Sequence, residues 1–456
     1  MDRAHILVPL SLAGFVVGAF AALAKLGPRR GVLVATLAGW LFLPEFDASG
    51  VAVPVFHAKS TFVPGIVLIA TLLLDTQRWG RLRWHLLDLP VAVLCLTPFA
   101  TSLSNGLGAY DGGSATLERV LSWGVPYLLG RLYFGDPDAL KDLATGWVLA
   151  ALVYAPLCLW EIRMSPQLHR TVYGFSPVSW VQALRFGGYR PAVFMAHGLV
   201  LGMFMATATL IAYWMWRTGA MRTIARMPAS VTSAALAFTT VLCKSTGAIV
   251  LLAIGGGILE LTRRMRTSAA VVVLLATPTA YCAARIEGWS AHEIVNMSRG
   301  AINEERAQSL QYRINMENIL VAKALERPSL GWGRWNRSRV FDEEGNDVTV
   351  TDGLWIIILG TTGFIGLVAA ALVFALPALA ILRRFPGVVW QDRRLAPAVA
   401  LTMVLLLAAI DQLLNAMMTP MWPTLAGGLS TFALLAGAVQ RGALARRRRK
   451  ATVVQS

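Results

Sequence analysis

Charged residues are scarce in this chain. Asp, Glu, Lys and Arg make up 14% of its 456 residues, 56% of the residues are hydrophobic, and the mean hydropathy is +0.59. A soluble globular protein carries about 25% charged residues, so this composition excludes that class. Because a helix satisfies its own backbone hydrogen bonds inside lipid, we predict an all-α integral membrane protein that crosses the membrane many times.

Cysteine is also scarce. The chain has four cysteines, each within or at the end of an apolar segment and without paired spacing: Cys95, Cys158, Cys243 and Cys282. This pattern excludes a disulfide framework and a cysteine-based metal site. We interpret the four thiols as small core residues.

Long apolar runs are abundant. A helix needs about 20 apolar residues to cross the hydrocarbon core. Thirteen stretches approach or exceed this length, near residues 5–25, 31–46, 60–75, 86–104, 115–133, 140–162, 191–216, 228–244, 246–262, 268–285, 353–381, 395–417 and 420–439. We therefore predict about 12–14 transmembrane helices.

Basic residues outnumber acidic ones, 41 to 25, which gives a net charge of +16. Basic clusters fall in alternate connections, and the tail "ARRRRK" continues the series: Lys25, Arg29, Arg30; Arg78, Arg81, Arg83; Arg217, Arg222, Arg226; Arg263, Arg264, Arg266; Arg383, Arg384, Arg393, Arg394. The positive-inside rule assigns their common side, and with it the C-terminus, to the cytoplasm. Anionic lipid accounts for this charge, so we expect membrane lipids and no nucleic acid as partners.

Two longer connections interrupt the regular pattern, at residues 163–190 and 286–352, and both fall on the outer side. The second has helical apolar periodicity, with Leu310, Ile314, Ile319 and Leu320 on one face. We expect one large extracytoplasmic loop that contains one or two helices lying on the membrane surface.

Both connections are rich in arginine, although the positive-inside rule disfavours arginine on the outer side. These arginines are Arg163, Arg170, Arg185, Arg190, Arg299, Arg306, Arg313, Arg327, Arg334, Arg337 and Arg339. A guanidinium group offers a planar fork of donors that matches phosphate. The alternative is pairing with acidic residues of the same loop or with lipid headgroups. Phosphate binding is the better hypothesis for Arg190, Arg306 and Arg313, which border membrane helices or lie on the amphipathic stretch.

Four segments, taken in order, resemble the O-antigen ligase and Wzy-type polysaccharide polymerase superfamily. "RFGGYRPAVFMAHGLVLGMFMA" (185–206) resembles its Arg-then-His-Gly start of the central helices. "CKSTGAIVLLAIGGGILEL" (243–261) resembles the following Ser-Arg-Gly helix, with Thr246 where arginine is commonest. "RINMENILVAKALERPSLGWG" (313–333) resembles its Arg, hydrophobic helix and Pro-x-x-Gly-x-Gly sequence, and "TDGLWIIILGTTGFIG" (351–366) resembles its closing helix.

Two spacings resemble those of the ligases. Arg306 and Leu310 match their Arg-x-x-x-Leu pattern, and Asp352 and Gly363 match their His-x10-Gly spacing with aspartate in place of histidine. The resemblance divides the chain into N-terminal transmembrane helices (1–114), a catalytic core that includes both outer loops (115–381), C-terminal transmembrane helices (382–440) and a basic cytoplasmic tail (441–456).

The resemblance implies a glycosyltransferase on the outer, periplasmic face of the bacterial cytoplasmic membrane. Its donor is a glycan on polyprenyl pyrophosphate. Its acceptor is a second lipid-linked glycan in a repeat-unit polymerase, or a lipid A core in a ligase, and the aspartate at position 352 favours the polymerase. Other polysaccharide assembly proteins are further expected partners.

A transporter or flippase of lipid-linked glycan is the alternative from another class. Such a protein is expected to have charged or Gly/Pro-broken helices across the whole membrane thickness. Here the polar residues concentrate on one face, which favours the enzyme.

The chemistry explains why arginine suits such a site. The acceptor hydroxyl attacks the anomeric carbon, and the lipid pyrophosphate leaves with negative charge that must be stabilised. Fixed arginines can supply the opposite charge, so we expect a metal-independent mechanism. The segment "DEEGND" (342–347) is similar to part of a calcium loop but lacks the remaining ligand spacing. We predict no metal site and no cofactor.

Three residues are assigned catalytic roles. Arg190 and Arg313 are expected to bind the pyrophosphate, and Asp352 is expected to act as the general base. The alternative for Asp352 is a helix N-cap. In that case the base is to be sought among His169, His197 and Glu161.

Substrate binding is assigned to Arg306, Arg185, Arg119, His197, Trp332 and Trp335. His197 either binds the glycan or is a hydrogen-bonded interior histidine. The two tryptophans either stack on sugar rings or belong to an interfacial belt. Arg119 lies within an apolar segment, where a charged side chain usually faces a cavity, and we expect it to contact the donor.

Overall fold

The computed structural model describes residues 3–46, 58–301 and 304–437. Within these ranges the side chains of residues 3–5, 298, 301, 305, 306 and 335 are not described. The side-chain predictions for Arg306 and Trp335, and the prediction for the tail at 441–456, therefore lie outside the described part.

The described chain consists mainly of helices. In chain order they are α1 (Arg3–Leu26), α2 (Pro28–Phe42), α3 (Lys59–Leu74), α4 (Thr76–Trp79), α5 (Leu89–Ser104), α6 (Gly108–Arg119), α7 (Val125–Tyr133), α8 (Pro137–Met164), α9 (Leu168–Tyr173), α10 (Trp180–Ala183), α11 (Gly198–Arg217), α12 (Ala229–Leu242), α13 (Thr246–Met265), α14 (Ala269–Ile286), α15 (His292–Ala301), α16 (Glu304–Leu325), α17 (Leu354–Arg384), α18 (Ala396–Leu414) and α19 (421–437). Two short antiparallel hairpins pair β1 (Leu184–Arg185) with β2 (Gly188–Tyr189), and β3 (Thr223–Ile224) with β4 (Met227–Pro228).

Among the described residues, eight helices are long and apolar enough to cross a membrane: α1, α5 with the turn before it, α8, α11, α13, α14, α17 and α18. Two further apolar helices, α3 and α12, are shorter. This finding confirms an all-α, multi-pass membrane protein. Each of the thirteen predicted segments contains a helix, and the number of 12–14 crossings stays a prediction.

Helices α11 and α18 form the centre of the protein. Leu201, Phe204 and Trp214 on α11, and Val399 and Leu405 on α18, have no exposed surface. The two helices contact each other, and α8, α12, α13 and α17 pack around them. A helix that is apolar on every side is suited to such a position.

Helix α11 begins later than the predicted start near residue 191. Glu161 on α8 accepts the N–H groups of Ala192 (2.9 Å) and Val193 (2.8 Å), and Val193 has φ 53°. A buried carboxylate thus takes the place of helical backbone partners and keeps the segment before Gly198 out of the helix. The predicted site residues Arg190 and His197 lie in the stretch just before Gly198.

Helix α17 is broken at Gly363, where φ is 65° and ψ is −163°. The loop at 328–333 packs against the break. The N–H of Phe364 donates to the Pro328 carbonyl (2.7 Å), and the N–H of Trp332 donates to the Gly360 carbonyl (2.9 Å). Backbone groups freed by a break in a membrane helix need partners, and this loop supplies them.

Two glycines permit this close approach. A Cβ atom on Gly363 would lie 2.4 Å from the carbonyl carbon of Ser329. A Cβ atom on Gly331, where φ is 69°, would lie 2.6 Å from the backbone of Thr361. The Pro-x-x-Gly-x-Gly loop and the glycine-rich start of α17 therefore fit together because each lacks a side chain where they touch.

The segment at 286–352 contains α15 and α16. Helix α16 packs against α14 and α17 through Leu320, Val321 and Ala324, which are buried with Trp355 and Leu359 of α17. Helical periodicity predicts these helices, but the prediction that Ile319 shares the apolar face is wrong, because its side chain is exposed while Ile314 and Leu320 are buried. The position of the helices on the membrane surface stays a prediction.

Candidate functional site

Arg313 and Asp352 lie side by side. Arg313 is on α16, and Asp352 precedes the start of α17. The Nε atom of Arg313 is 3.4 Å from Oδ2 of Asp352. The Nη1 atom of Arg313 donates to the Leu414 carbonyl (3.0 Å) and to the side-chain oxygen of Asn415 (3.3 Å) at the end of α18. Three elements therefore meet at one guanidinium group.

Asp352 does not cap α17, so the capping interpretation is wrong. Gly353 occupies the N-cap position, and the described residues provide no side-chain cap at this helix start. The Asp352 carboxylate pairs with Arg313 instead, and its side chain is 34% exposed. An exposed carboxylate is accessible to a substrate hydroxyl, as a general base must be.

A second carboxylate is connected to the same arginine. Asp411, on α18, accepts a hydrogen bond from the side-chain amide of Asn415 (2.8 Å). The other end of that amide accepts from Arg313. Asn415 thus bridges a buried acid and the Arg313 guanidinium, and it limits the directions in which Arg313 can move.

A buried ion pair holds α16 in place one turn after Arg313. Glu317 accepts from Nε of Arg285 on α14 (3.1 Å) and from the indole N–H of Trp355 on α17 (3.2 Å). The Arg285 side chain has no exposed surface. Arg313 precedes Glu317 by one helical turn, and Asp352 lies three residues before Trp355. The Glu317 contacts therefore set how closely Arg313 and Asp352 approach.

Arg190 and His197 form the second part of the site. Arg190 is buried, and its Nη2 atom donates to the Gln182 carbonyl (2.7 Å) and lies 3.4 Å from Nε2 of His197. Nδ1 of His197, at the N-cap of α11, accepts the N–H of Leu199 (3.1 Å). With Nδ1 as the acceptor, the neutral ring carries its proton on Nε2. In this tautomer both the Arg190 guanidinium and Nε2 of His197 can donate to a shared anionic acceptor.

Positive charge converges on His197. Burial, followed by the charges of Arg190, Arg185 and Arg313, lowers the pKa of His197 to about 4. The ring is neutral at physiological pH and can donate through Nε2. Arg185 lies on the β1–β2 hairpin, and within the described part of the chain its Nε atom is buried without a hydrogen-bond partner. Three arginines thus lie within electrostatic reach of one neutral histidine.

The two other candidate bases, His169 and Glu161, already form hydrogen bonds with backbone groups. Nδ1 of His169 donates to the Phe175 carbonyl (2.7 Å), and its Nε2 accepts the N–H of Glu45 (3.0 Å). The Glu161 carboxylate accepts three backbone N–H groups, at 2.8–2.9 Å. Glu161 therefore positions the segment that carries Arg190 and His197, and Asp352 is left as the better candidate for the base.

An open apolar groove lies between α14, α17 and α18, with a volume of about 370 Å³. We call it the apolar groove. Phe374 lines one end, and Leu354 and Leu413 line the other. Leu414, the next residue, is the carbonyl partner of Arg313. A groove between membrane-spanning helices therefore ends beside the Arg313 guanidinium.

A second cavity, of about 390 Å³, lies between α5, α6, α17 and the loop at 333–334. Arg119, Glu118, Arg334 and Thr361 are among its lining residues. Leu354 lines both this cavity and the apolar groove. Arg119 thus lines a cavity, as is usual for a charged residue in an apolar segment, and its contact with a donor stays a prediction.

Two cationic side chains lie against the ring of Trp332. Its indole N–H donates to the Lys323 carbonyl (2.8 Å). The Lys323 ammonium lies 3.9 Å from the ring centroid, and the Arg327 guanidinium lies 4.7 Å from it. These are cation–π distances. The stacking of Trp332 on a sugar stays a prediction.

The segment at 342–347 forms a turn that Asp342 stabilises. Its Oδ1 atom accepts the N–H groups of Glu344 (3.1 Å) and Asn346 (2.7 Å). In residues 3–46, 58–301 and 304–437, no group of three or more His, Cys, Asp or Glu side chains could hold a metal ion.

Sequence reasoning missed Glu317 and Asn415, which position the site. Glu317 lies one turn after Arg313, beside the apolar face that contains Leu320. An acidic residue there was a signal that the helix buries an ion pair. Asn415 lies one turn after Asp411, at the end of an apolar run, and nothing in its neighbours indicated the contact with α16.

The structure thus brings Arg185, Arg190, His197, Arg313 and Asp352 into one region, whereas the contacts of Trp332 are with other residues.

The chain matches no protein-family model, and no curated protein is significantly similar to it. The family resemblance of the four segments therefore stays a prediction.

Proposed function

We propose that this protein is a glycosyltransferase that transfers a glycan from polyprenyl pyrophosphate to a hydroxyl of an acceptor glycan, with repeat-unit polymerisation favoured. The observation that carries the proposal is the position of the Arg313–Asp352 pair at the end of the apolar groove, in one region with Arg190 and Arg185. A lipid pyrophosphate has two matching parts, an apolar chain and a doubly phosphorylated head.

In this proposal the isoprenoid chain lies in the apolar groove, and its pyrophosphate contacts Arg313 and Arg190. The Nε2–H group of His197 is a further donor beside Arg190. Guanidinium groups bind phosphate with two parallel hydrogen bonds. Donors fixed in advance stabilise the charge that develops on a leaving group, and here arginine takes the role that a divalent metal takes in other enzymes.

The transfer is a single displacement at the anomeric carbon. The acceptor oxygen forms a bond to this carbon as the bond from carbon to the pyrophosphate oxygen breaks. Asp352 accepts the hydroxyl proton, and the lipid pyrophosphate leaves as an anion held by the arginines. Arg313 pairs with Asp352. Phosphate competes for the guanidinium, and this exchange frees the carboxylate for its role as base.

We place the site on the outer face of the bacterial cytoplasmic membrane, with the tail at 441–456 in the cytoplasm. The support is the charge distribution along α11. His197 begins this helix, and Arg217 at its other end pairs with Glu260 (2.8 Å), which also pairs with Arg263 (2.8 Å). The basic clusters and the proposed site thus lie at opposite ends of α11, as the positive-inside rule requires.

The decisive experiment is an assay with the purified full-length protein and lipid-linked repeat units. Glycans longer than one repeat unit are the expected product. Transfer to a lipid A core without chain growth would assign the ligase activity instead. Movement of lipid-linked glycan across vesicles without bond formation would assign transport and would overturn the proposal. Protein carrying Asp352→Asn, prepared identically, controls for a contaminating enzyme.

Cysteine labelling tests the orientation independently. A cysteine at Asn346 is expected to react with an impermeant reagent added outside, and a cysteine at Ser456 is expected to react only after the membrane is opened. Labelling of position 346 from the cytoplasm would contradict the catalytic proposal as well, because its donor is used on the outer face.

A further inference from the structure

A groove of about 840 Å³ lies between α16 and the segment at 336–341, and we call it the outer groove. Helix α16 contributes Ile319, Lys323 and Glu326, which recur at helical spacing on one face. The segment at 336–341 contributes Arg337, Arg339 and Phe341. A volume of this size is within the range of ligand-binding sites, roughly 300–1,000 Å³.

The outer groove lies on the opposite face of α16 from the candidate active site. Arg313 and Glu317 are on the face that packs against α14 and α17. Ile319 and Glu326 are on the other face, because residues three, four and seven apart share one side of a helix. The helix with its side chains is about 10–12 Å across, so a ligand in the outer groove does not contact the reacting atoms.

The chemistry of the outer groove indicates its ligand. Three cationic side chains and one acidic side chain line it. Lys323 pairs with Glu326 (2.8 Å) and Arg339 pairs with Asp347 (2.7 Å), so Arg337 is the residue that we assign to an anionic group of the ligand. The exposed ring of Phe341 (47%) and the exposed side chain of Ile319 (39%) add apolar surface between the charges. Carboxylates pair with guanidinium groups, and the C–H faces of sugar rings pack on apolar surface. An acidic oligosaccharide presents both features.

Backbone hydrogen bonds hold the wall of the groove that carries Phe341. The N–H of Val348 donates to the Val340 carbonyl (3.0 Å), and the N–H of Asp342 donates to the Asn346 carbonyl (3.0 Å). Arg339 is held by Asp347 (2.7 Å). A wall held by such contacts loses little conformational entropy when a ligand binds.

We propose that the outer groove binds an acidic segment of a glycan chain away from its reacting end. The inference rests on the proposed function in one respect, since the bound glycan is the polymer under synthesis. Such a site keeps a growing chain attached between transfer steps. It acts on the length of the product and leaves a single transfer to a short acceptor unchanged.

Direct binding tests the site without any catalytic step. The full-length protein in nanodiscs of neutral lipid is titrated with tetragalacturonic acid, and with maltotetraose as a neutral probe of the same length. We expect the acidic probe to bind more tightly than the neutral one. Phe341→Ala and Arg337→Gln should each weaken acidic-probe binding by at least about fivefold. Glu326→Gln should strengthen it, because the substitution removes the one acidic side chain of the lining.

Matched controls are available on the same chain. Tyr110→Ala removes another exposed aromatic ring (83% exposed), and Arg264→Gln removes an exposed arginine at the end of α13; both should bind the acidic probe as the wild type does. Equal affinities for the two probes, or no effect of the outer-groove variants, would overturn the site. Loss of acidic-probe binding when phosphatidylglycerol is added to the nanodiscs would overturn it in favour of a lipid-headgroup site.

The polymerisation assay separates the two proposals. If the wild type extends chains, Phe341→Ala and Arg337→Gln should shorten the products while transfer to a short acceptor continues at the wild-type rate. If the wild type extends chains but the two variants match it in probe binding and in product length, the outer-groove site is wrong and the proposed function stands. If the acidic probe binds as expected but the wild type forms no glycosidic bond, the proposed function is wrong and the outer groove is still supported as a saccharide-binding site.

Discussion

Arg313 and Asp352 form an ion pair with 3.4 Å between Nε and Oδ2, although they belong to separate elements. Both side chains are partly exposed, so the pair contributes little to stability, on the order of 0–1 kcal/mol. A phosphate can compete with the carboxylate for the guanidinium. Each member can therefore be replaced without unfolding the protein, and effects on turnover can be separated from effects on abundance.

Arg313→Lys tests whether the guanidinium fork is needed. Lysine keeps the charge but cannot contact Asp352 and the Leu414 carbonyl while offering two parallel donors to phosphate. We expect turnover to fall by about 10²-fold, the lower end of the effect of removing one donor from an anion-stabilising site. Turnover and abundance are measured on purified protein. Arg264→Lys, at an exposed arginine, should match the wild type, and a fully active Arg313→Lys protein would contradict the bidentate contact.

Asp352→Asn tests the base. Asparagine keeps the size and a hydrogen-bond acceptor for Arg313 but cannot take up the hydroxyl proton. Turnover should fall by about 10²–10⁴-fold, with little change in abundance. The measurement is the rate of transfer at saturating donor, with Asp138→Asn as the control at an exposed acid. Wild-type turnover in Asp352→Asn would remove Asp352 from the mechanism.

Asp352→His is the informative companion to that variant. Histidine is the residue that the ligases are expected to have at this spacing, and its neutral ring can accept a proton. Partial activity in the histidine variant, with none in the asparagine variant, is the expected pattern. The same assay measures both proteins.

Glu317→Gln tests how α16 is held. The substitution leaves the fully buried Arg285 without its charged partner. Breaking a buried pair in this way costs about 3–5 kcal/mol, so the protein should unfold at a markedly lower temperature in detergent. Glu326→Gln, at an exposed acid on the same helix, should change the unfolding temperature little. If both variants unfold at the wild-type temperature, the buried pair does not secure α16.

Gly363→Ala tests the break in α17. A Cβ atom there would lie 2.4 Å from the Ser329 backbone, and the φ of 65° is unfavourable for alanine. Backbone strain alone costs on the order of 1–3 kcal/mol, and the clash adds to it. We expect a lower unfolding temperature and lower yield. Gly257→Ala, in α13 with open space around its Cβ position, should be neutral or slightly stabilising, and equal behaviour of the two variants would contradict the packing of the loop in the break.

His197→Asn tests the depressed pKa of His197, which is about 4 in the folded protein. A histidine in the unfolded chain titrates near about 6.5, so the unfolded state takes up the proton first as the pH falls. The stability contribution is therefore complete above about pH 6.5 and is lost as the pH falls towards about 4. Asparagine does not titrate and remains a good N-cap. Between about pH 7 and about pH 5, the wild type should lose more thermal stability than His197→Asn, and parallel losses would show that His197 is not responsible.

The class of the protein and the positions of its helices could be predicted because they depend on local composition. A segment that crosses lipid must be apolar over about 20 residues and must satisfy its own backbone. The residue types of the candidate site could also be named, since guanidinium groups on the predicted outer side contradict the usual charge bias. This bias indicates Arg190 and Arg313, and the position of Asp352 at the boundary between loop and membrane helix indicates a base.

The contacts among these residues depend on packing between segments distant in the chain. The meeting of Arg313 with Asp352 and Asn415 requires that α16 fold back against α17 and α18, and the Glu317–Arg285 pair that holds it there joins two further segments. No local pattern specifies such a meeting, because hydrophobic burial favours contact without selecting the partner. The late start of α11 has the same cause, since its preceding segment follows the Glu161 carboxylate on α8 instead of its own helical propensity.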